Sequence, residues 1–314
     1  MTILFRDDLF LRHDTGPHPE TPRRLVAING LLEKVGLAAM CATGHYQPLA
    51  EDAVATVHAR EQVELVKELS ERGGGMIDAD TIVSPESYRV ALAAAGACCS
   101  GVDAVMSGDH ANALCLVRPP GHHATQAQSM GFCLFNNIAL AARHAIDRHG
   151  LSRVLIVDWD VHHGNGTQDI FYESPDVLFY SIHRYGHGFY PGTGAADEIG
   201  SGRGLGYTLN VPIRHGTSRR EYHDRFLGAL QKAADKMKPE LVLISAGFDA
   251  HVNDPIGSLG LETEDFATMT RDVLEVARTH AGGRVVSCLE GGYNLSALAK
   301  SVQAHLEQLL DEKT

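Results

Sequence analysis

Six apolar stretches rich in β-branched residues recur along the chain: Ala113–Val117, Val154–Val157, Val177–Ile182, Tyr207–Val211, Leu241–Ser245 and Val285–Leu289. Each is followed by polar or glycine-rich residues. Helical patterns lie between or beside them, at Pro22–Val35, Val90–Met106, Asn136–His149, Arg219–Lys236, Thr263–His280 and Leu295–Leu310. Strands alternating with helices predict an α/β fold whose central, mainly parallel sheet is covered on both faces. No low-complexity linker and no internal repeat divides the sequence, so residues 1–314 read as a single domain. In such sheets, ligands bind beyond the carboxyl ends of the strands.

The chemistry-bearing residues fall at those ends. Arg118–His123 follows the first run and Asp158–His163 the second. Ser181-Ile182-His183 closes the third, Ala246–Asp249 follows the fifth, and Glu290–Tyr293 the last. Five loops distant in sequence are thus expected to converge on one crevice.

Asp160 and His162 are two apart, so at a strand end both side chains project to one side. With Asp249 as a third ligand they make a three-ligand metal site with an open position for water, as catalytic zinc sites are built. A lone Asp-x-His would more often be a polar loop with a helix-capping aspartate; the company of Asp249, His122 and His123 favours the metal. His122 and His123 are candidates for proton transfer to and from water and a leaving amine. Each imidazole needs a partner on its other nitrogen, and Asp158 and Asn165 are available. Tyr293, after two glycines, is placed to donate to an oxyanion opposite the metal, although a tyrosine alone would better be read as core. Glu290 either caps the helix from Asn294 onward or lines the pocket.

Composition narrows the class. Lysine and arginine total 27 against 39 acidic residues, a net charge of −12. That excludes the basic footprint of a nucleic-acid surface. It suits a cationic partner only weakly. No apolar run reads as a membrane span, and Arg6, Asp7 and Asp8 interrupt the only early apolar stretch, so a cytoplasmic location is expected. The six cysteines show no Cys-x-x-Cys spacing and read as buried thiols, neither a disulfide framework nor a thiolate zinc site. Homo-oligomer formation is compatible with all of this.

The sequence resembles the histone deacetylase family, in its class II branch, which includes bacterial histone deacetylase-like amidohydrolases and acetylpolyamine amidohydrolases. The matching segments are His18–Pro22, Arg118–His123, Gly131–Asn137, Asp158–Gly166, Pro191–Gly194, Ser245–Asp249 and Leu289–Asn294. They span nearly the whole chain. The resemblance implies a three-layer arginase/deacetylase-like fold and zinc on Asp160, His162 and Asp249. It implies that His122 and His123 are the tandem histidines, the second being base and acid, and that Tyr293 polarises the scissile carbonyl. Phe132 and Tyr190 resemble the walls of the acyl-lysine tunnel, and His183 a residue close behind the metal. Asp158, Asp160, His162, Ser181 and Ile182 resemble a structural potassium site. Phe171, Ser174, Val177 and Tyr207 resemble a second monovalent-cation site. Ile256 aligns with a gate position where a polyamine-selective relative carries glutamate.

Two departures matter: Asn165 stands where many class I members have aspartate, and Tyr190 where phenylalanine is common. The implied reaction is direct attack of water on an acetyl-lysine amide of a protein or peptide, or on a similar acylated amine, releasing acetate without a covalent enzyme intermediate. Acetylpolyamine hydrolysis is the alternative, and a catalytically silent acyl-lysine-binding protein a further one. A two-manganese ureohydrolase on the same fold fits less well, because Gly164, Ala250 and His251 stand where extra carboxylates would be needed. Iron(II) in place of zinc is compatible with the ligand set.

Overall fold

All six expected strands form, and short ones that the sequence pattern did not mark join them. The computed structural model describes residues 1–311. In chain order the strands are β1 (Thr2–Phe5), β2 (Ala42–Thr43), β3 (Gly75–Met76), β4 (Ile82–Val83), β5 (Asn112–Cys115), β6 (Val154–Asp158), β7 (Val177–Arg184), β8 (Thr208–Ile213), β9 (Leu241–Ala246) and β10 (Val285–Leu289). The helices are α1 (Arg23–Lys34), α2 (Glu51–Val54), α3 (Arg60–Glu71), α4 (Ser87–Met106), α5 (Asn137–His149), α6 (Asn165–Phe171), α7 (Arg219–Met237), α8 (Thr263–His280) and α9 (Leu295–Leu310).

Eight strands make one sheet in the order β2-β1-β5-β10-β9-β6-β7-β8. Every ladder in it is parallel. β3 and β4 pair antiparallel outside it. The central strands β6, β9 and β10 are buried at every residue, because helices cover both faces. On one side α3, α4, α5 and α6 pack in succession, and on the other α1, α9, α8 and α7. His305 of α9 shares a 2.9 Å hydrogen bond with Ser287 of β10. Trp159 packs against Phe226 of α7 and His305 of α9.

Helix ends follow capping chemistry. Asn136, Ser218 and Asn294 accept from the backbone N–H of Ala139, Glu221 and Ala297 at 3.0–3.2 Å. Glu262 and Asp265 form a reciprocal capping box at the start of α8. Helix α4 differs from the sequence expectation. By length and composition it is apolar enough to cross a membrane. Most of it is buried under α5 and against β1, β5 and β10, so its small apolar residues serve the core.

Candidate active site

The strand order puts β5, β10, β9 and β6 side by side, and the four loops at their carboxyl ends meet over the sheet. β6 ends at Asp158 and β9 at Ala246. Asp160, His162 and Asp249 therefore lie beyond the strands, where the sequence placed them, but the strand alternation expected to aim Asp160 and His162 to one side does not extend to them. Hydrogen bonds replace the pleat in aiming them. The His162 N–H donates to Asp160 Oδ1 at 2.9 Å, the Gly291 N–H to Asp160 Oδ2 at 2.8 Å, and the Val161 N–H to Asp249 Oδ1 at 2.8 Å.

This leaves a compact trio. His162 Nδ1 is 3.0 Å from Asp160 Oδ1 and 3.2 Å from Asp249 Oδ2. One donor atom from each residue lies within 4.8 Å of the others, and all three residues are buried. Asp249 Oδ2 is buried with no hydrogen-bond partner. Burial and the neighbouring Asp160 charge push the Asp249 carboxyl up to about 7. Burial opposes charge on His162, but the two carboxylates still push it up to about 9. Two carboxylates sharing one small buried space repel unless a cation lies between them. The donor set fits a divalent metal with one position left open. Glycine is required beside it. A Cβ on Gly247 would collide with Asp160, and one on Gly291 with both Asp160 and Asp249.

The tandem histidines differ in their partners. His122 Nδ1–H donates to Asp158 Oδ2 at 2.9 Å, and His123 Nδ1–H to Asn165 Oδ1 at 2.7 Å. Burial opposes charge on both. Asp158 and Asp160 overcome it at His122 and raise it to about 10. At His123 burial and the positive His122 and His162 act together and hold it well below its ordinary value. The pair therefore splits into a charged and a neutral imidazole. Glu290 does not cap α9; Asn294 does. The Glu290 carboxylate is buried and accepts the N–H of Gly121 at 2.7 Å and of His122 at 3.2 Å.

Aromatic rings enclose the space above. Tyr190 meets His123 edge-on at 5.0 Å and Phe132 meets Tyr293 at 5.8 Å. Phe132 is held at a φ of 69°, with its N–H bonded to Thr81 Oγ1 at 3.1 Å. The Tyr293 N–H donates to Asp254 Oδ2 at 2.7 Å, and Asp254 Oδ1 accepts from Ile256 and Gly257. One carboxylate thus couples Tyr293 to the half-buried Ile256. His183 is bonded to Ser181 Oγ and to the Gly194 carbonyl, both at 2.9 Å, behind His163. Sequence reasoning missed Phe189, which stacks flat on His162 at 5.2 Å. Its only signal was its place beside Tyr190.

Residues 18–309 match the histone deacetylase domain. The chain belongs to the histone deacetylase family. It is 39% identical to a histone deacetylase-like amidohydrolase of Pseudomonas aeruginosa, covering 98% of this chain and 86% of that one. It is 44% identical to the human polyamine deacetylase HDAC10 over 93% of this chain, but spans only 45% of that protein's length. The crystal structure of the HDA15 HD domain superimposes with a TM-score of 0.94 at 40% identity, covering 99% of this chain and 88% of the other. The protein is a deacetylase, with the α/β fold expected from its sequence.

In this deacetylase the two expected monovalent-cation groups fall at opposite ends of the sheet. Asp158 and Ser181 are register partners near the carboxyl ends of β6 and β7, with Ile182 next to them. Val177 begins β7, and Tyr207, whose carbonyl accepts the Phe179 N–H at 2.9 Å, precedes β8. Phe171 and Ser174 close a turn nearby. Two further clusters were invisible to sequence spacing. Asp103, His144 and His149 meet at the α4–α5 surface, and Cys98, Cys115 and Cys288 gather in the core. The latter are free, buried thiols, which β5, β10 and α4 bring close only in the fold.

Proposed function

We propose that the protein hydrolyses the acetyl amide of an acetylated lysine side chain in a protein or peptide, or of a similar acylated amine, with one zinc ion held by Asp160, His162 and Asp249. The observation that carries this reading is the buried Asp249 Oδ2, which accepts no hydrogen bond although it lies 3.2 Å from His162 Nδ1. When bound, the metal supplies Lewis acidity, polarising a carbonyl and making a water more acidic. His123 is neutral and keeps its Nδ1–H on Asn165, so its Nε2 is free to take the proton of the attacking water. His122, charged against Asp158, supports the negative charge that develops nearby. The Tyr293 hydroxyl donates to the oxyanion. As the carbon–nitrogen bond breaks, the histidinium formed at His123 protonates the departing amine and acetate remains. Phe132 and Tyr190 form the walls around the lysine methylenes and exclude water. Potassium is the cation proposed for the group of Asp158, Asp160, His162, Ser181 and Ile182, and a monovalent cation for the group of Phe171, Ser174, Val177 and Tyr207.

The name of the human relative favours a second reading, in which the substrate is an acetylated polyamine. A polyamine carries a second ammonium and needs a carboxylate to meet it. Ile256 offers apolar contact only. Beside it, Arg184 Nη1 donates to the Gly257 carbonyl at 2.7 Å and brings positive charge to the same loop. Both features favour lysine. The test compares kcat/KM for an acetyl-lysine peptide with that for acetylputrescine and acetylspermidine, in the wild type and in Ile256→Glu. The wild type should prefer the peptide, and the variant should move toward the polyamines. A strong wild-type preference for polyamines would overturn the lysine assignment.

A further inference from the structure

A groove of about 1070 Å³ opens beside the active site, between the end of β7 and the segment after β8. Its wall includes Phe189, the ring stacked on His162. The same ring lies 4.3 Å from the guanidinium of Arg184. The Phe189 side chain therefore lies between the groove and His162, one of the proposed metal ligands. Arg184, Arg214 and Arg225 line it, with His187 and His215 and one carboxylate, Glu221. Glu221 is already paired with Arg225 at 2.6 Å. Arg214 is exposed and has no acidic partner among the described residues. An unpaired arginine facing a groove stands out in a chain of net charge −12.

We propose that this groove is an anion-binding subsite that takes aspartate or glutamate side chains flanking the acylated lysine of a peptide or protein substrate. The proposal rests on the acyl-lysine reading above. Arginine's planar fork matches a carboxylate. The strongly acidic remainder of the surface repels nucleic acid, so a polyphosphate backbone is a poor occupant. An extended peptide advances roughly 3.3 Å per residue. The flank of the peptide that leaves the lysine on the Phe189 side enters this groove, where its acidic side chains meet Arg214. The same positive groove disfavours a substrate whose remainder is cationic.

The zinc-loaded enzyme is assayed on acetyl-lysine peptides whose flanks are glutamate, glutamine or lysine, and on an acetyl-lysine amide without flanks. The acidic peptide should exceed the glutamine peptide in kcat/KM by roughly fivefold at low salt, and the advantage should shrink as salt screens the charges. Arg214→Gln should reduce the ratio toward one and Arg214→Glu should invert it. Both should leave turnover of the flankless amide unchanged. Equal constants for the glutamate and glutamine peptides in the wild type, or a preference that survives Arg214→Glu, would overturn the subsite alone. A wild type that hydrolyses acetylpolyamines but none of the four lysine substrates would overturn the functional reading and the subsite with it.

Discussion

Replacing Glu290 isolates the contribution of a side chain that touches only backbone of the tandem-histidine loop and one serine. Its Oε2 accepts from Gly121 and His122, and its Oε1 from Ser245 Oγ at 3.3 Å. Glu290→Ala strands two buried N–H groups. Each unsatisfied donor costs about 1–3 kcal/mol, so the change costs roughly 2–6 kcal/mol, a large part of a typical domain's stability. His122 loses its backbone anchor at the same time. A displacement of about 1 Å at such a site lowers turnover by roughly 10²-fold. Glu290→Gln behaves differently. Burial, partly offset by the positive His122, pushes the Glu290 carboxyl up to about 8, so the neutral form already prevails near pH 7. The glutamine carbonyl can accept both N–H groups, and its amide can donate to Ser245 Oγ. We expect kcat in Glu290→Gln to fall less than about tenfold, with KM little changed, and in Glu290→Ala to fall by about 10²-fold with a lower melting temperature.

The pH dependence of melting supplies a second check. A carboxyl whose folded pKa rises from 4.5 to about 8 contributes stability fully present below pH 4.5 and lost as pH rises through 8. Glutamine has no proton to lose, so its stability relative to the wild type should grow across that window. The assays are steady-state kinetics on a fluorogenic acetyl-lysine amide and thermal melting from pH 5 to 9. An alanine variant with unchanged kcat and melting temperature would refute the anchoring role. A glutamine variant as damaged as the alanine would show that charge, not hydrogen-bond acceptance, matters.

Asp249→Ala should abolish both zinc binding, read by metal analysis after dialysis, and activity; a wild type fully active after thorough chelation would contradict the metal requirement. Tyr293→Phe should lower kcat by roughly 10²–10³ with KM nearly unchanged, as for loss of one oxyanion donor; unaltered turnover would return Tyr293 to a packing role. Burial opposes ionisation of Glu20, yet Arg118 and Arg24 hold its carboxyl down at about 2 against 4.5. Its stabilisation is therefore present above pH 4.5 and lost as pH falls through 2, on the order of 3 kcal/mol at roughly 1.4 kcal/mol per pH unit. Glu20→Gln should flatten acid unfolding over that range, measured by circular dichroism, and an unchanged acid profile would count against the Glu20–arginine network.

The six main strands and six main helices were legible because each has a long apolar signature; α8 and α9 begin and end where the spacing put them. What escaped notice was short or weakly patterned. β1 is four buried residues cut off by Arg6, Asp7 and Asp8, and β2 has only two residues. α3 buries a narrow stripe in which Gln62 and Ser70 stand with Val63 and Val66, so its polar members hid its inner face. α6 has seven residues, including Asn165, Gly166 and Thr167, poor helix formers whose motif drew the reading toward chemistry. The pairings of His122 with Asp158 and His123 with Asn165 were legible, since residue type alone limits what can orient an imidazole. The role of Glu290 was not, because two of its three partners are backbone amides, which every residue but proline carries.

That difference runs through the whole site. Asp160, from the loop after β6, accepts from Gly291 in the loop after β10. Asp249, from the loop after β9, accepts from Val161 in the loop after β6. Glu290, ending the β10 run, accepts from Gly121 and His122 after β5, and Asp254, after β9, accepts from Tyr293 after β10. Each acid thus ties its own loop to the backbone of another, and four separate loops hold one another in register. A carboxylate reaches a neighbouring backbone only when nothing intervenes, which explains glycine at 247 and 291, where a methyl group would collide with the ligands themselves. The geometry of the proposed ligands is set by this lashing as much as by the sheet, so a change at either glycine should disturb the proposed metal site without replacing any of those ligands.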